Sequence, residues 1–247
     1  MHRIKCAEVW GGSQMIDTDV CTNGLTASLF STASGGDQSG GDIYYFSVCN
    51  HDRLTRVCLA DVVGHGAAVN HVSRWLYDAM LEKLEVPHGN SVLADLNRTI
   101  HERGLEAMTT AAVMTFYSRN SGLSFSCAGH PPLLLRRQNK PEWQAMGVKQ
   151  SRNPSNLPLG ILSDTIYDQE EIRLERGDRI LLYTDGVIET MNPERELFGI
   201  GKLLEVLAQT GDCPLFEIKQ AVRESSHRFA DGNLEQDDFT VIAVEVN

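Results

Sequence analysis

The chain has 247 residues, 42% of them hydrophobic and 22% charged, and a formal net charge of −11. That size and balance suit a soluble globular protein with a sizeable core, and no run approaches the roughly 18 apolar residues of a membrane span. The acidic balance disfavours nonspecific binding to nucleic acid or to an anionic membrane, which needs clustered Lys and Arg.

The N-terminus, MHRIKCAEVWGGSQ, lacks the apolar h-region of a secretory signal, so a cytoplasmic location is expected. The six cysteines (Cys6, Cys21, Cys49, Cys58, Cys127 and Cys213) show no CxxC spacing, which argues against a zinc site or a disulfide framework. Cys49, Cys58 and Cys127 sit in apolar strand-like runs and are expected to act as small buried hydrophobes. One domain is expected over residues 1–247, with 1–23 as its N-terminal extension.

In chain order, β-branched and aromatic runs bounded by turn residues predict strands at 24–31, 43–49, 56–60, 111–118, 123–129, 132–137, 178–184 and 240–246. The segment NHDRLT turns the second of these into the third, and RNSG turns 111–118 into 123–129. Between the hairpins, Val69, Val72, Leu76, Met80 and Leu84 recur at helical steps and predict a helix over 67–84. A second helix is expected over 90–105, capped by Asn90 or Ser91, with Val92, Leu93, Leu96 and Ile100 as its stripe. Residues 137–156 read as a long polar connection. Two later helices carry Ile200, Leu203, Leu204 and Leu207, then Leu215, Ile218 and Val222. Tandem hairpins without βαβ alternation predict antiparallel sheets flanked by helix pairs, an α+β fold.

The aspartates fall at the ends of these strands. Asp42 is expected just before 43–49 and Asp61 just after 56–60, so a hairpin sets the two carboxylates side by side. Asp185 follows 178–184, and Asp237 and Asp238 precede 240–246; antiparallel pairing brings this second group to a common end. Taken singly, each is an ordinary turn former or helix cap. Together they form a constellation whose mutual repulsion calls for protonation or for cations. Oxygen-only ligation suits Mg²⁺ or Mn²⁺ rather than zinc, and two such ions can activate a bridging water at a phosphoryl centre. In GGDQSGGD (35–42), Asp37 is expected in a solvated loop and Asp42 at the strand that returns to Asp61.

The stretches GGDIYYF, LADVVGHGAAV, CAGHPPLLL, NLPLGI, GDRILLYTDGVIET and DDFTVIAV follow one another along the chain. In this order they resemble the SpoIIE/RsbU-type branch of the PPM family of serine/threonine protein phosphatases, relatives of the type 2C enzymes, over roughly residues 24–246. The resemblance implies an αββα sandwich, two central antiparallel sheets between helix pairs. It implies removal of phosphate from phosphoserine or phosphothreonine with two divalent ions, Mn²⁺ or Mg²⁺. Carried over by position, it makes Asp42 and Asp61 the catalytic pair and metal ligands, with Asp61 bridging both ions. The Val62 carbonyl, Asp185 and the Asp237–Asp238 pair complete the metal set, Asp237 being favoured by the family pattern.

Val63 stands where the family often has serine, and no counterpart of the phosphate-binding arginine of animal type 2C enzymes is identified. His65 in GHG is a candidate general acid beside a turn-stabilising role, and His130 in AGHPP is expected to be structural. The implied partner is a phosphorylated protein of the anti-sigma-factor-antagonist type. The helices at 67–84 and 90–105 resemble a regulatory switch; Trp75, Leu76, Ala79 and Met80 offer either core or a homodimer surface. Two other readings stay open. Gly-Gly-Asp also opens the GGDEF signature of diguanylate cyclases, although Ile43 and Tyr44 follow here, and a catalytically inactive phosphatase fold would serve as a binding module.

Overall fold

Strands that are apolar on both faces need cover on both sides. A computed structural model, which describes residues 1–247 except 50, 52, 85, 105, 106, 152, 153 and 235, supplies it in four layers. In chain order the elements are β1 (His2–Arg3), β2 (Val9–Gln14), β3 (Ile16–Cys21), β4 (Leu25–Thr32), β5 (Ser39–Cys49), β6 (Leu54–Val62), α1 (Asn70–Leu81) and α2 (Gly89–Arg103). There follow β7 (Thr109–Tyr117), β8 (Gly122–Ala128), β9 (Leu133–Arg136), β10 (Trp143–Met146), β11 (Glu170–Arg173) and β12 (Arg179–Tyr183). The chain closes with α3 (Asp185–Glu189), α4 (Gly199–Thr210), α5 (Leu215–Phe229) and β13 (Phe239–Val246).

The first sheet has the order β1-β3-β4-β13-β12-β9-β10 and the second β11-β8-β7-β6-β5-β2. Alternation along each strand assigns its side chains to layers. On β5, Tyr44, Phe46 and Val48 point between the sheets, while Ile43 and Tyr45 pack with Val72, Leu76 and Met80 of α1 and Leu96 and Ile100 of α2. On β13, Ile242, Val244 and Val246 point between the sheets, while Val241 and Ala243 lie under Leu203 and Leu207 of α4 and Ile218 and Val222 of α5. The α+β αββα sandwich expected from sequence is the fold observed.

Several boundaries differ from expectation. Residues 1–23 are built into both sheets: β2 pairs with β5, and β1 and β3 form the far edge of the first sheet. Gly11 and Gly12 and the run Asp17-Thr18-Asp19 have too little strand propensity to show this. Yet Gly11 is required, since a Cβ there would lie 2.1 Å from the Tyr44 carbonyl oxygen. The β1–β3 pair is parallel, so the first sheet is not wholly antiparallel. The connection over 137–156 contains β10, which pairs with β9 and buries Trp143 and Met146; residues 152 and 153 of it lie outside the described residues.

The expected helix over 67–84 divides into a 3-10 turn, Gly66–Val69, and α1. Its Leu76 and Met80 are core, and Trp75 stacks under the Arg103 guanidinium, 4.2 Å from the ring centroid. Asn90 does not cap α2: His88 holds the N-cap position with extended backbone, and α2 ends at Gly104. Residue 105 of the expected helix, and residues 50 and 52 of the β5–β6 turn, fall outside the described residues. Cys58 and Cys127 are buried and Cys49 half-buried, and burial pushes the Cys127 thiol up to about 12. No helix among the described residues is long and apolar enough to cross a membrane.

One buried cation ties the helix layer to the second sheet. Arg56 of β6 is 1% exposed. Its Nη2 donates to the carbonyl oxygens of Val86 (2.6 Å) and Pro87 (3.3 Å), and its Nη1 to those of Lys83 and Leu84. These carbonyls lie in the segment that follows α1. Arg56→Leu is therefore expected to lower the unfolding free energy by about 3 kcal/mol. Urea denaturation reads that loss, and amide exchange should rise selectively at Lys83, Leu84 and Val86.

Candidate functional site

β5 and β6 place Asp42 directly opposite Asp61 in register, so both side chains emerge on one face of the ladder. Sequence propensity put the two aspartates just beyond the strand ends. The ladder instead runs on to Ser39 and Val62, and both lie inside it. Asp185 opens α3 directly after β12, and Asp237 and Asp238 immediately precede β13. β12 and β13 pair antiparallel, with Tyr183 opposite Val241, so this second group also meets at one end.

The five carboxylates share one electrostatic field. Burial pushes Asp42 well above the usual carboxylate range, against the lowering pull of the Thr240 hydroxyl; the charges of Asp238 and Asp185 add to the rise. Asp61 is raised by burial first, then by Asp42, Asp185, Asp237 and Asp238. Asp237 is raised by burial and by Asp185 and Asp238, and the nearby His65 offsets part of this. Desolvation and like charge disfavour the ionised forms.

Asp238 has a separate structural position. It is 2% exposed, and its oxygens are taken up by backbone amides. Oδ1 accepts from Ser34 N at 2.7 Å and Gly66 N at 3.2 Å; Oδ2 accepts from Gly41 N at 2.5 Å and Gly66 N at 3.3 Å. The second Gly-Gly-Asp exists for this contact. A Cβ on Gly40 would lie 2.3 Å from Asp238 Oδ1, and one on Gly41 would lie 3.1 Å from Oδ2 and 2.9 Å from the Val62 carbonyl oxygen. Among the described residues, Asp237 Oδ1 accepts from Asp238 N at 2.9 Å.

Asp37, in the first Gly-Gly-Asp, is half-buried rather than fully solvated, and its Oδ2 approaches Gly66. His65 is exposed. His130 is buried; its Nδ1 meets the Thr110 hydroxyl at 3.1 Å, and burial holds its pKa down at about 3, so the ring is neutral. Sequence reasoning missed the hydroxyls. Thr184 and Thr240 each donate to Asp42 Oδ2, at 2.9 and 2.6 Å. Their signal was adjacency: each stands within two residues of an aspartate, in TDG and in DDFT.

Among the described residues, no three His, Cys, Asp or Glu side chains are grouped so as to hold a metal ion as they stand. Uncompensated carboxylates repel one another. The donor set nonetheless fits a hard divalent cation. Asp42 Oδ1 is a buried oxygen with no hydrogen-bond partner among the described residues, and the Val62 carbonyl faces the space kept open at Gly41. A surface groove of about 830 Å³ between β2 and α1 is lined by Gln38, Ser39, His71 and Arg74, and by none of these five aspartates.

The family model for Stage II sporulation protein E (SpoIIE) matches residues 51–247, a span that holds Asp61, Asp185 and Asp237. The chain belongs to the SpoIIE family. Within it, the chain is of the SpoIIE/RsbU type of PPM phosphatase. It is 24% identical over 223 residues to the phosphoserine phosphatase RsbP of Bacillus subtilis, covering 86% of this chain and 51% of that protein. It is 28% identical over 211 residues to the phosphoserine phosphatase RsbU of the same organism, covering 84% and 59%. The chain thus spans little more than half the length of these two relatives. Among solved structures it superposes on the RsbU and RsbW domains of Rv1364c from Mycobacterium tuberculosis with a TM-score of 0.78, at 23% identity over 95% of this chain and 63% of that one. The PP2C phosphatase domain of SpoIIE from B. subtilis gives 0.74, at 19% identity over 96% and 71%. These likenesses establish this SpoIIE-family chain's fold as that of PP2C-type phosphatase domains.

The neighbouring aspartates separate by experiment. Asp238→Ala strips four amide contacts and is expected to cost about 3 kcal/mol of stability. Asp237→Ala removes a half-buried repelled charge and should leave stability within about 1 kcal/mol of the parent; chemical denaturation of both variants checks this. The raised carboxyls also set a pH dependence. Because the folded state holds these protons more tightly than the unfolded chain, their contribution to stability is complete below about pH 4 and is lost as pH rises through the folded values. Metal-free Asp61→Asn should therefore gain stability over the parent as pH rises from about 4 to 7, measured by urea unfolding across that range.

Proposed function

We propose that this chain, as one domain, is a metal-dependent phosphoprotein phosphatase that hydrolyses phosphoserine or phosphothreonine. The observation that carries the reading is the cross-strand pair Asp42–Asp61, joined by Asp185 and Asp237 in one shared field. Membership of a family whose relatives include two named phosphoserine phosphatases supports it. Asp42, Asp61, Asp185 and Asp237, with the Val62 carbonyl, would hold two divalent ions, Mn²⁺ or Mg²⁺. Asp238, its oxygens filled by amides, serves as the organiser of the loops around them. Bound cations would supply the charge that activates water and offsets the phosphoryl oxygens.

The residues divide the remaining work. Asp61 stands opposite Asp42 and orients the reacting face of the site. His65, exposed and near Asp237, is the candidate general acid for the leaving oxygen; neutral, buried His130 is not. The substrate we propose is a phosphorylated regulator of the anti-sigma-factor-antagonist type in bacterial, cytoplasmic signalling. A homodimer through the α1–α2 layer is compatible with this.

A second reading, an inactive phosphatase fold used as a binding module, draws on the carboxylates' not being grouped, among the described residues, so as to hold a metal ion as they stand. Turnover decides between them. The parent protein should hydrolyse a phosphoserine peptide with Mn²⁺ and not with EDTA, and Asp61→Asn should lose at least about 10²-fold in kcat, the range of losing one electrostatic contributor. Equal activity in Asp61→Asn would sink the two-metal reading, and metal binding without turnover in the parent would favour the binding module.

A further inference from the structure

We propose that Thr184, Thr240 and Ser31 form a buried hydroxyl clamp that positions Asp42, holding one carboxylate oxygen so that the other is presented in a fixed direction to a cation. This deepens the reading of Asp42 as a metal ligand and rests on it.

The proton directions follow from the contacts. A hydroxyl carries a single proton. Thr184 Oγ1 accepts the backbone N–H of Thr240 at 3.0 Å, so its own proton goes to Asp42 Oδ2. Thr240 Oγ1 stands 2.6 Å from the same oxygen and also donates to it. The 2.8 Å contact between Ser31 and Thr240 then has Ser31 as donor. Every hydroxyl proton in the group points toward Asp42, which suits a carboxylate at the end of the chain.

The clamp is dry and rigid. Thr184 and Thr240 are fully buried, and Ser31 and Asp42 nearly so. Ser31 and Thr240 are a register pair on β4 and β13, and Thr184 follows β12. The three hydroxyls therefore belong to the first sheet, whereas Asp42 belongs to the second. Rotating the Asp42 carboxylate breaks two hydrogen bonds in a place where water cannot replace them. Oδ1, buried and without a partner among the described residues, is the oxygen this arrangement leaves for a ligand. A positioning residue held in this way supports the site without touching substrate.

Shape-preserving and proton-preserving substitutions separate positioning from packing. Thr240→Val keeps the volume and loses the hydroxyl; Thr240→Ser keeps the hydroxyl and loses a methyl. Mn²⁺ titration by calorimetry on the full chain should show about ten-fold weaker binding for Thr240→Val, the scale of one hydrogen bond, and near-parental binding for Thr240→Ser. Ser31→Ala, one step removed, should weaken Mn²⁺ binding by about two- to three-fold and is a readout that survives if Thr240→Val does not fold. In turnover, kcat at a fixed subsaturating Mn²⁺ concentration should fall with the same ranking while KM for a phosphoserine peptide holds. Thr240→Val or Ser31→Ala with parental Mn²⁺ affinity, or Thr240→Ser as weak as Thr240→Val, would overturn the clamp. A parent that binds no Mn²⁺ would instead overturn the metal reading beneath it, and the clamp with it.

Discussion

Two buried aspartates accept hydrogen bonds across the gap between the sheets, and the rest of the site depends on those contacts. Asp42, in the second sheet, accepts the hydroxyls of Thr184 and Thr240 from the first. Asp238, at the start of β13 in the first sheet, accepts amides of Gly41 from β5 and of Gly66 beyond β6. Elsewhere the sheets meet through apolar side chains such as Leu29, Tyr44, Leu59 and Ile242, whose attraction is non-directional. Apolar packing brings the sheets together without fixing which end faces which. The reciprocal polar contacts are directional, and they pin the sheets at the end where the carboxylates collect.

Such an arrangement sets stability against chemistry. Asp42, Asp61 and Asp237 are held where burial and like charge disfavour ionisation, a cost a purely structural design would avoid. Asp238 is as buried as Asp42 and more buried than Asp61 or Asp237, yet four amide contacts satisfy it. Neighbouring residues of one type thus take opposite roles because successive side chains of an extended chain point opposite ways. One enters an amide cradle and the other stays beside Asp185. The two Gly-Gly-Asp copies diverge on the same principle. Gly35 and Gly36 adopt left-handed backbone in a 3-10 turn, while Gly40 and Gly41 are extended in β5 and are glycine because Asp238 occupies the space of a Cβ.

Much of this was legible in the sequence where one physical signal dominated. The apolar runs of β4 to β9, β12 and β13 and the helical stripe of Leu76 and Met80 are hydrophobic patterns, and hydrophobicity is a property of the residue itself. What stayed hidden depends on partners distant in sequence. β2 is a strand because Gly11 lies against Tyr44, a relation that a Gly-Gly pair alone does not express. β10 and β11 are four residues each, below the length at which period two can be read. Asp42 and Asp61 were legible as neighbours because a hairpin joins them. The separate roles of Asp237 and Asp238 were not, since they follow from Gly41 and Gly66, about 170 to 200 residues away in the chain. The hydroxyls of Thr184 and Thr240 were silent for a related reason: threonine is an ordinary strand residue, and only the third dimension shows what its proton meets.

The helix layer belongs to the same framework. The helical run that begins at Gly66 has its first amide on the Asp238 carboxylate, and the carbonyls past the end of α1 lie on the Arg56 guanidinium. An anion at the start and a cation at the end match the polarity of the helix dipole. Both charges are buried and both come from outside the helix, so the helix is held at its two ends by different strands, β13 and β6. Its apolar face, Val72, Leu76 and Met80, supplies the burial, but burial alone would permit it to slide or rotate over Ile43 and Tyr45. The end charges remove that freedom. The N-terminal one is also the carboxylate that gathers Ser34 and Gly41, so the start of this helical run and the loops around Asp42 share one anchor.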